Sequence, residues 1–207
     1  MQRIVLFVVY RLIMRPLLRF VLGIKWDGES DFRRYKQFIL VANHNSHIDT
    51  MALMSSLTLK QLQNTHPVAA STYFGKNKWL VWLSTFFVNT ILIERSHEGN
   101  GPKALDVLHN HLQKGHSLIY FPEGSRGKPE ELQSFHKGIG VLLQQNPELN
   151  YIPVWIQGTG KILPKGAHLP VPFEATLTFG KPRQAHASNV DAILDEVKNA
   201  LLSLKTN

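Results

Sequence analysis

The chain has 207 residues with 43% hydrophobic content, which is enough for one substantial α/β core, and no Pro-, Gly- or Ser-rich linker divides it. It contains no cysteine, which excludes a disulfide framework, a thiolate nucleophile and a cysteine-based metal site. The formal net charge of +8 is spread unevenly, because residues 1–36 hold eight Lys and Arg against three acids.

The first predicted element is this basic N-terminal arm, which is also strongly apolar. Residues 4–24 are dominated by Ile, Leu, Val and Phe, whereas a protein that binds single-stranded nucleic acid would present spaced aromatic residues on a polar platform. We therefore expect a lipid membrane surface as the partner, and no nucleic acid. Pro16 would kink an amphipathic helix lying among the headgroups, with one stripe of arginines on phosphates. The stripe consists of Arg11, Arg15 and Arg19.

Insertion energies indicate how this arm meets the bilayer. Its fourteen Ile, Leu, Val and Phe residues contribute about −4 to −8 kcal/mol, while the three Arg would cost about +8 to +10 kcal/mol at the membrane centre. Two alternatives stay open: a single tilted span, since Arg11 and Arg19 lie off-centre, and a core helix of the domain. A cleaved signal peptide is disfavoured, because Arg11 interrupts a short apolar run and no small-residue cleavage site follows.

The next element is a short apolar strand over residues 37–42, which leads directly to His44. Ser46 and Asp49 resemble a capping box, so a helix is expected to start near His47 with Asp49 in its first turn. The carboxylate of Asp49 can then orient the imidazole of His44 as a neutral general base. The alternative is that His44 is a hydrogen-bonded structural residue and Asp49 a helix N-terminal acid.

Strands and helices alternate through the middle of the chain. Apolar spacing and turn residues predict a strand at 66–70, a helix at 79–87, a strand at 89–95, a helix at 101–115 that stops at Gly115, and a strand at 116–121. The last of these leads into a Pro-Glu-Gly turn. Glu123 and Arg126 flank a glycine there, which indicates a cradle for an anionic substrate.

The final third continues the alternation with a helix at 138–145, strands at 150–156 and 176–179, and a closing helix at 188–204. Pro153 inside its strand predicts an edge or a bulge. Ser188 and Asp191 predict a capping box for the closing helix. The whole pattern predicts an α/β fold, a single domain with a central mixed sheet flanked by helices, preceded by the N-terminal membrane-associated amphipathic helix.

Four blocks of sequence, in order, resemble those of the glycerolipid acyltransferase family of 1-acyl-glycerol-3-phosphate acyltransferases. Residues 43–49 match the N-H-x4-D block, residues 91–95 resemble the block that ends in Arg, residues 121–126 match F-P-E-G-T/S-R, and residues 152–154 resemble an apolar-Pro-apolar triplet. The chain departs from the family at Asn89, where Gly is usual, and at Gly127, where Ser is frequent.

The resemblance implies that His44 removes the proton from an acceptor hydroxyl as it attacks an acyl thioester, while Asp49 holds the imidazole. The implied acceptor is a lysophospholipid, 1-acyl-glycerol-3-phosphate giving phosphatidate, with another lysolipid or glycerol-3-phosphate as the alternative. Acyl-CoA or an acyl carrier protein thioester would be the co-substrate, without another cofactor and without metal. The residues implied to bind substrate are Arg95, Glu123, Gly124, Ser125 and Arg126, with Lys76 and Lys137 as peripheral candidates.

On this interpretation residues 1–36 form the membrane-associated segment and residues 37–207 the acyltransferase domain. The expected location is the cytoplasmic face of a membrane, held peripherally or by one tilted helix. Two rivals remain, a catalytically silent membrane-binding protein and a metal-dependent hydrolase using His44, His47 and Asp49. The hydrolase is disfavoured because Asn45 and Thr50 occupy the other two ligand positions of the metallo-β-lactamase pattern.

Overall fold

Seven strands form one sheet among residues 2–29, 31–71, 86, 88–94, 102–128, 131–164, 167 and 169–205, which the computed structural model describes. They are β1 (Ile24–Asp27), β2 (Ile39–Ala42), β3 (Thr65–Ala70), β4 (Ile91–Ile93), β5 (Ser117–Tyr120), β6 (Tyr151–Gln157) and β7 (Ala175–Phe179). Their order is β1-β7-β6-β2-β5-β3-β4, and only the β6–β7 pair is antiparallel. The predicted α/β domain with a central mixed sheet is confirmed.

Helices cover both faces of the sheet. They are α1 (Gln2–Phe7), which continues as π-helical segments Val8–Met14 and Leu17–Val21, then α2 (Ile48–Ser56), α3 (Leu59–Asn64), α4 (Pro102–Gln113), α5 (Gly138–Gln145), α6 (Thr159–Ile162) and α7 (Val190–Leu202). Leu40 points to the face covered by α2 and the N-terminal helix, while its neighbours Ile39 and Val41 point to the face covered by α4, α5 and α7. Burial on both faces explains why β2 and β5 are uninterrupted apolar runs.

Pro153 lies in β6, which has β2 on one side and β7 on the other, so the prediction of an edge strand is wrong. The alternative prediction of a bulge fits the geometry. Val154 pairs with Phe179 and Tyr151 bridges Arg183, so three steps along β6 oppose four steps on the other segment. The Pro153 carbonyl accepts from Gly180 on this interrupted side, so the missing proline N–H leaves the ladder with β2 intact.

The closing helix begins differently from its prediction. Its N-cap is Asn189, whose side chain accepts a hydrogen bond from the backbone N–H of Ala192 at 2.8 Å, so the predicted Ser188–Asp191 capping box is wrong. Both Ser188 and Asn189 are good N-cap residues, and their adjacency left the register of the helix start undetermined. Asp191 instead lies 3.1 Å from the Nζ of Lys137.

The N-terminal helix packs on the domain along one side only. Leu6, Tyr10 and Leu18 are buried in the same core as α2, and the strand β1 within residues 1–36 pairs with β7. The opposite side leaves a row of apolar side chains exposed, namely Ile4, Phe7, Val8, Leu12, Ile13, Leu17, Phe20 and Val21. None of the helices in the described ranges has both the length and the hydropathy that a bilayer crossing requires.

Arg15 does not face lipid phosphates as predicted. Its guanidinium binds both carboxylate oxygens of Glu29 at 2.6 and 3.1 Å and donates to the carbonyl of Ser55 at 2.7 Å. It also lies 4.8 Å from the ring centroid of Trp26. The prediction for Arg15 is wrong because helical spacing alone does not show which arginine will contact an acidic residue of the same fold. Here Arg15 contacts Glu29.

Candidate active site

The sequence blocks at residues 43–49 and 121–126 meet at the carboxyl ends of neighbouring parallel strands. His44 lies two residues beyond the end of β2, and Phe121 directly follows β5. Since β2 and β5 are adjacent and parallel, the loops that leave them emerge side by side. This edge of an α/β sheet is where such folds bind ligands.

His44 and Asp49 form the predicted pair. The Nδ1 of His44 lies 3.0 Å from Oδ2 of Asp49, and Asp49 is fully buried while the His44 side chain is 17% exposed. A carboxylate only accepts hydrogen bonds, so in a neutral imidazole Nδ1 would carry the proton and Nε2 would keep its lone pair. The arrangement orients the imidazole, and one face of its ring is stacked on Phe121 at a centroid distance of 4.0 Å.

Asp49 lies in the first turn of α2, and its carboxylate is fixed by the loop that precedes the helix. Its Oδ2 accepts the backbone N–H groups of Asn45 at 2.6 Å and Ser46 at 2.8 Å. The predicted capping interaction is thus half formed, since the acid reaches back to the backbone while the hydroxyl of Ser46 donates to the carbonyl of Leu163 at 3.0 Å. The helix starts at Ile48 as predicted.

The Pro-Glu-Gly turn holds the backbone of His44 from both sides. The N–H of His44 donates to Oε1 of Glu123 at 2.9 Å, and the carbonyl of His44 accepts from the N–H of Gly127 at 3.1 Å. A Cβ at Gly127 would come within 2.5 Å of the Gln133 side chain, so a side chain here would need local rearrangement. The structure therefore joins the two sequence blocks through the main chain of His44.

Glu123 is buried, and both of its carboxylate oxygens are engaged. Oε2 accepts the backbone N–H of Gln133 at 3.2 Å, in addition to the bond from His44 to Oε1. Burial raises the pKa of Glu123, and these two backbone N–H groups oppose the rise by stabilising the carboxylate. Glu123 thus positions the His44 loop. Gly124 follows with φ +70°, a conformation that favours glycine, and Ser125 is exposed.

Arg126 lies beside the base-bearing loop. It is half-buried and directly precedes Gly127, whose N–H binds the His44 carbonyl. Partial burial lowers the pKa of His47, and the positive charge of Arg126 lowers it further. The guanidinium therefore acts electrostatically on His47, which lies between His44 and Asp49 in the sequence.

The loop after β2 is also held by the end of β6, which sequence reasoning did not predict. Asn43 donates to the carbonyl of Ile156 at 2.8 Å and accepts from its N–H at 2.7 Å, so its side-chain amide extends the β2–β6 ladder by one pair. Asn45 donates to the same carbonyl at 2.8 Å. The Asn residues on both sides of His44 were the available signal, because side-chain amides in a buried loop require backbone partners.

Of the three other predicted residues, the structure describes only Lys137. Lys137 is exposed and forms an ion pair with Asp191 at the start of α7. Arg95 and Lys76 lie outside the described residues, as does most of the predicted helix at 79–87. Their proposed contacts with substrate stay predictions.

Asn89 explains one departure from the resembled family. It has φ +60°, and Asn is the residue besides Gly that most readily tolerates this left-handed conformation. Its side-chain amide donates to the carbonyls of Gln63 and Thr65, at 3.4 and 3.1 Å. The chain therefore retains the backbone geometry that a glycine would allow, and adds bonds that a glycine cannot make.

Exposed apolar residues surround the same end of the sheet. Because β7 is antiparallel to β6 and parallel to β1, the amino ends of β7 and β1 lie beside the carboxyl ends of β6 and β2. Phe20 and Val21 precede β1, and an apolar loop precedes β7. Exposed in that loop are Leu169, Val171 and Phe173. This loop could not be predicted from the sequence, because three apolar residues among prolines have no helical or strand period.

The chain is similar to known proteins in sequence and in fold. Residues 23–157 match the model of the Acyltransferase family. Among curated proteins, the chain is 26% identical over 168 residues to a chloroplastic 1-acyl-sn-glycerol-3-phosphate acyltransferase of Arabidopsis thaliana, covering 79% of this chain and 43% of that protein. It is 28% identical over 192 residues to a 1-acyl-sn-glycerol-3-phosphate acyltransferase of Limnanthes douglasii, covering 91% of this chain and 65% of that protein.

A solved structure shares the fold. The crystal structure of the 1-acyl-sn-glycerophosphate acyltransferase PlsC from Thermotoga maritima aligns over 100% of this chain and 81% of its own, with a TM-score of 0.71 and 20% identity. The first curated relatives are longer, and the chain spans less than half of their length.

Proposed function

Because this chain belongs to the Acyltransferase family, we propose that it transfers a fatty acyl group from an acyl thioester to the free hydroxyl of a lysophospholipid. The acceptor is 1-acyl-glycerol-3-phosphate and the product phosphatidate, as the names of the curated relatives suggest. The observation that carries the proposal is the oriented His44–Asp49 pair, in which the backbone N–H of His44 is held by Glu123 of the third family block.

The chemistry follows from the tautomer of His44. Nε2 accepts the proton of the acceptor hydroxyl while the hydroxyl oxygen attacks the thioester carbonyl carbon. The buried carboxylate of Asp49 stabilises the resulting imidazolium. The tetrahedral intermediate then collapses, the carbon–sulfur bond breaks, and the imidazolium returns the proton to the departing thiolate. Thiol and acylated acceptor are the products, without a covalent intermediate on the protein. The thioester is that of coenzyme A or an acyl carrier protein.

Arg126 is the proposed reader of the acceptor phosphate. A guanidinium binds phosphate through charge-assisted and frequently bidentate hydrogen bonds. Its charge lowers the pKa of His47, three residues after His44, and this supports the proposal that Arg126 binds the phosphate of an acceptor at His44. Arg95 remains the second proposed phosphate ligand on the strength of the family resemblance. Glu123 acts as a positioning residue.

A membrane surface is the proposed source of the acceptor. The last residues of the exposed apolar row, Phe20 and Val21, and the loop with Leu169 and Phe173 lie at the end of the sheet where His44 lies. Apolar side chains at an interface insert among lipid headgroups and acyl chains. Docking by this end would present the base to a lysolipid without requiring the lipid to leave the bilayer. We propose peripheral attachment at the cytoplasmic face.

The decisive experiment measures thiol release from a long-chain acyl-CoA, and in parallel from the long-chain acyl thioester of acyl carrier protein, with lysophosphatidate in phospholipid vesicles. We expect release to depend on the acceptor, and to fall about 10²- to 10⁴-fold in His44→Ala because general-base catalysis is lost. Lysophosphatidylcholine and glycerol-3-phosphate serve as alternative acceptors. Release at an equal rate without acceptor would contradict the proposal and indicate a thioesterase.

The chain supplies a matched control at His186. This histidine precedes Asp191 by the same five residues as His44 precedes Asp49, but it is exposed and Asp191 pairs with Lys137. His186→Ala should keep the full rate of thiol release. If both substitutions reduced the rate equally, the loss would reflect general damage to the protein and the assignment of His44 as the base would be wrong.

A further inference from the structure

Three histidines converge at the end of the sheet opposite His44. They are His66 at the start of β3, His111 in the last turn of α4 and His116 directly before β5. One ring nitrogen from each lies within 4.8 Å of the other two. The strand β5 separates this cluster from the active site, because His116 precedes the strand and Phe121 follows it, about 16 Å along an extended chain.

His66 presents a lone pair to the cluster. Its Nδ1 lies 2.9 Å from the carbonyl oxygen of Asn89, so Nδ1 carries the proton and Nε2 is the acceptor. Nε2 is buried and has no hydrogen-bond partner among the residues that the structure describes. Burial and the neighbouring histidines lower the pKa of His66 to about 4, although the bond to Asn89 opposes this, so the imidazole is neutral at pH 7. A backbone carbonyl on one ring nitrogen is the usual support of a histidine whose other nitrogen binds metal.

The end of α4 brings the other two rings together. The N–H of His116 bonds to the carbonyl of His111 at 3.1 Å, and the N–H of Gly115 bonds to the carbonyl of Leu112 at 2.9 Å. With φ +80° at Gly115 this is a Schellman motif. The residues at its first and last positions usually make a hydrophobic contact. Here they are imidazoles, and their Nδ1 atoms lie 3.0 Å apart.

The turn that carries these rings is fixed from outside. The side-chain amide of Gln37 donates to the carbonyl of Leu112 at 2.6 Å and to that of His116 at 3.1 Å. Two nitrogens bound to one tetrahedral zinc ion lie about 3.4 Å apart, given Zn–N bonds of about 2.0–2.1 Å. The Nδ1 atoms of His111 and His116 are thus already near the distance between two zinc ligands. A small movement of these two rings toward His66 would bring all three nitrogens to that distance.

We propose that His66, His111 and His116 bind a divalent transition-metal ion, Zn²⁺ in the first place, through Nε2 of His66 and Nδ1 of the other two. Three imidazoles suit Zn²⁺, Co²⁺, Ni²⁺ and Cu²⁺, whereas Mg²⁺ and Ca²⁺ prefer oxygen ligands. The fourth position of the ion is left to water. The ion ties the end of α4 to the start of β3 and so stabilises the fold. It takes no part in acyl transfer.

The test is metal titration of the untagged full chain after treatment with a chelator, without substrate. We expect one equivalent of Zn²⁺ to bind, Co²⁺ to give the intense visible absorption of a tetrahedral site, and Mg²⁺ not to compete. His111→Gln and His116→Gln should each weaken Zn²⁺ binding more than 100-fold, beyond the 10- to 100-fold cost of losing an outer-shell partner. His109→Gln is the control on the same helix, and His44→Ala separates this site from the active site. Both should retain wild-type affinity.

A second readout needs no substitution. In the ¹⁵N-labelled wild type, Zn²⁺ should shift the ring nitrogens of these three histidines and leave those of His136 and His186 unchanged. Absence of a stoichiometric equivalent, or binding that His44→Ala removes and His111→Gln preserves, would overturn the proposal. Both outcomes are independent of the acyl-transfer assay, so failure here does not touch the proposed function.

Discussion

His44 is held by its backbone as well as by its ring. The ring is oriented by Asp49 and stacked on Phe121, while Glu123 and Gly127 bind the N–H and the carbonyl. A base that must lie within hydrogen-bond reach of a hydroxyl depends on every one of these contacts, because misplacement by about 1 Å can cost about 10²-fold in rate. In the proposed mechanism, residues that never touch substrate therefore matter to the rate.

Glu123 and Arg126 should affect catalysis in different ways. Glu123→Gln keeps the shape of the side chain but turns an amide N–H toward a backbone N–H. We expect kcat to fall about 10²-fold through misplacement of His44, and unfolding to become easier by about 1–3 kcal/mol, with little change in KM for the acceptor. Arg126→Ala should instead raise the KM for the acceptor. Steady-state kinetics with lysophosphatidate measure kcat and KM, and chemical denaturation measures the free energy of unfolding. A large rise in KM for Glu123→Gln with kcat unchanged would indicate that Glu123 binds the acceptor.

The charge of Arg126 can be detected without substrate. Partial burial and this guanidinium together lower the pKa of His47, so the ring loses its proton at a lower pH than an ordinary histidine. Removing the charge in Arg126→Ala should raise the pKa of His47 toward its ordinary value, and NMR titration of the imidazole C–H signals measures the shift. Lys137→Ala is the control, because Lys137 pairs with Asp191. Equal shifts in the two variants would place Arg126 away from this loop.

The His44–Asp49 pair could be predicted from the sequence, but the role of Glu123 could not. Five residues across a strand-to-helix loop restrict the distance between two side chains, and the apolar residues after Ile48 locate the helix. Glu123 contacts His44 across 79 positions of sequence, and a carboxylate that accepts two backbone N–H groups has the same sequence signature as one that binds substrate. The N-cap of the closing helix was predicted one residue too early for a different reason, because Ser188 and Asn189 are adjacent and both are suitable N-cap residues.

At the scale of secondary structure, apolar runs predicted the strands well because most of the sheet is buried on both faces. The order of the strands was not predictable from such runs. Residues 24–27 belong to the predicted N-terminal segment and yet form the edge strand β1 beside β7. A pairing over some 150 residues depends on the folded sheet, whereas hydropathy reports only local burial.

The left-handed residue before β4 offers a test of local geometry. Asn89→Ala loses two side-chain hydrogen bonds and keeps a Cβ at φ +60°. Asn89→Gly loses the same bonds but has no Cβ. It therefore avoids the conformational strain of a left-handed residue, which costs about 1–2 kcal/mol for an ordinary side chain. Denaturant unfolding should therefore rank wild type above Asn89→Gly and Asn89→Gly above Asn89→Ala. Equal stability of the two variants would show that this backbone position is not strained.

The stripe of arginines on the N-terminal helix divides into different roles. Arg15 binds Glu29 with both side chains mostly buried, and it also supports the end of α2 through Ser55. Arg15→Ala should lower the free energy of unfolding by about 1–2 kcal/mol, between the values for exposed and fully buried pairs, because Arg33 still pairs with Glu29 at 2.8 Å. Arg19 is exposed, and Arg19→Ala should change the free energy of unfolding by less than about 0.5 kcal/mol. A similar small loss in both variants would leave Arg15 available to lipid phosphates after all.

The molecule as a whole is asymmetric about its sheet. One face carries α4, α5 and α7, and the other carries the N-terminal helix with α2. Exposed apolar side chains lie along the N-terminal helix and in the loop before β7, and both reach the end of the sheet with His44. The net charge of +8 adds attraction to anionic lipids. Membrane attachment and catalysis would then share one end of the protein.

This asymmetry predicts which apolar residues set the affinity for vesicles. Phe20 and Leu169 are 80% and 81% exposed, and burial of such a side chain in lipid is worth about 1.5–3 kcal/mol. Phe20→Ser and Leu169→Ser should each weaken binding to anionic vesicles about tenfold or more in sedimentation assays. Val107→Ser and Leu202→Ser are matched controls on helices of the other face, and should change binding less than about twofold. Equal losses in all four variants would mean that the protein has no preferred docking side, and the acceptor would then have to reach His44 by another route.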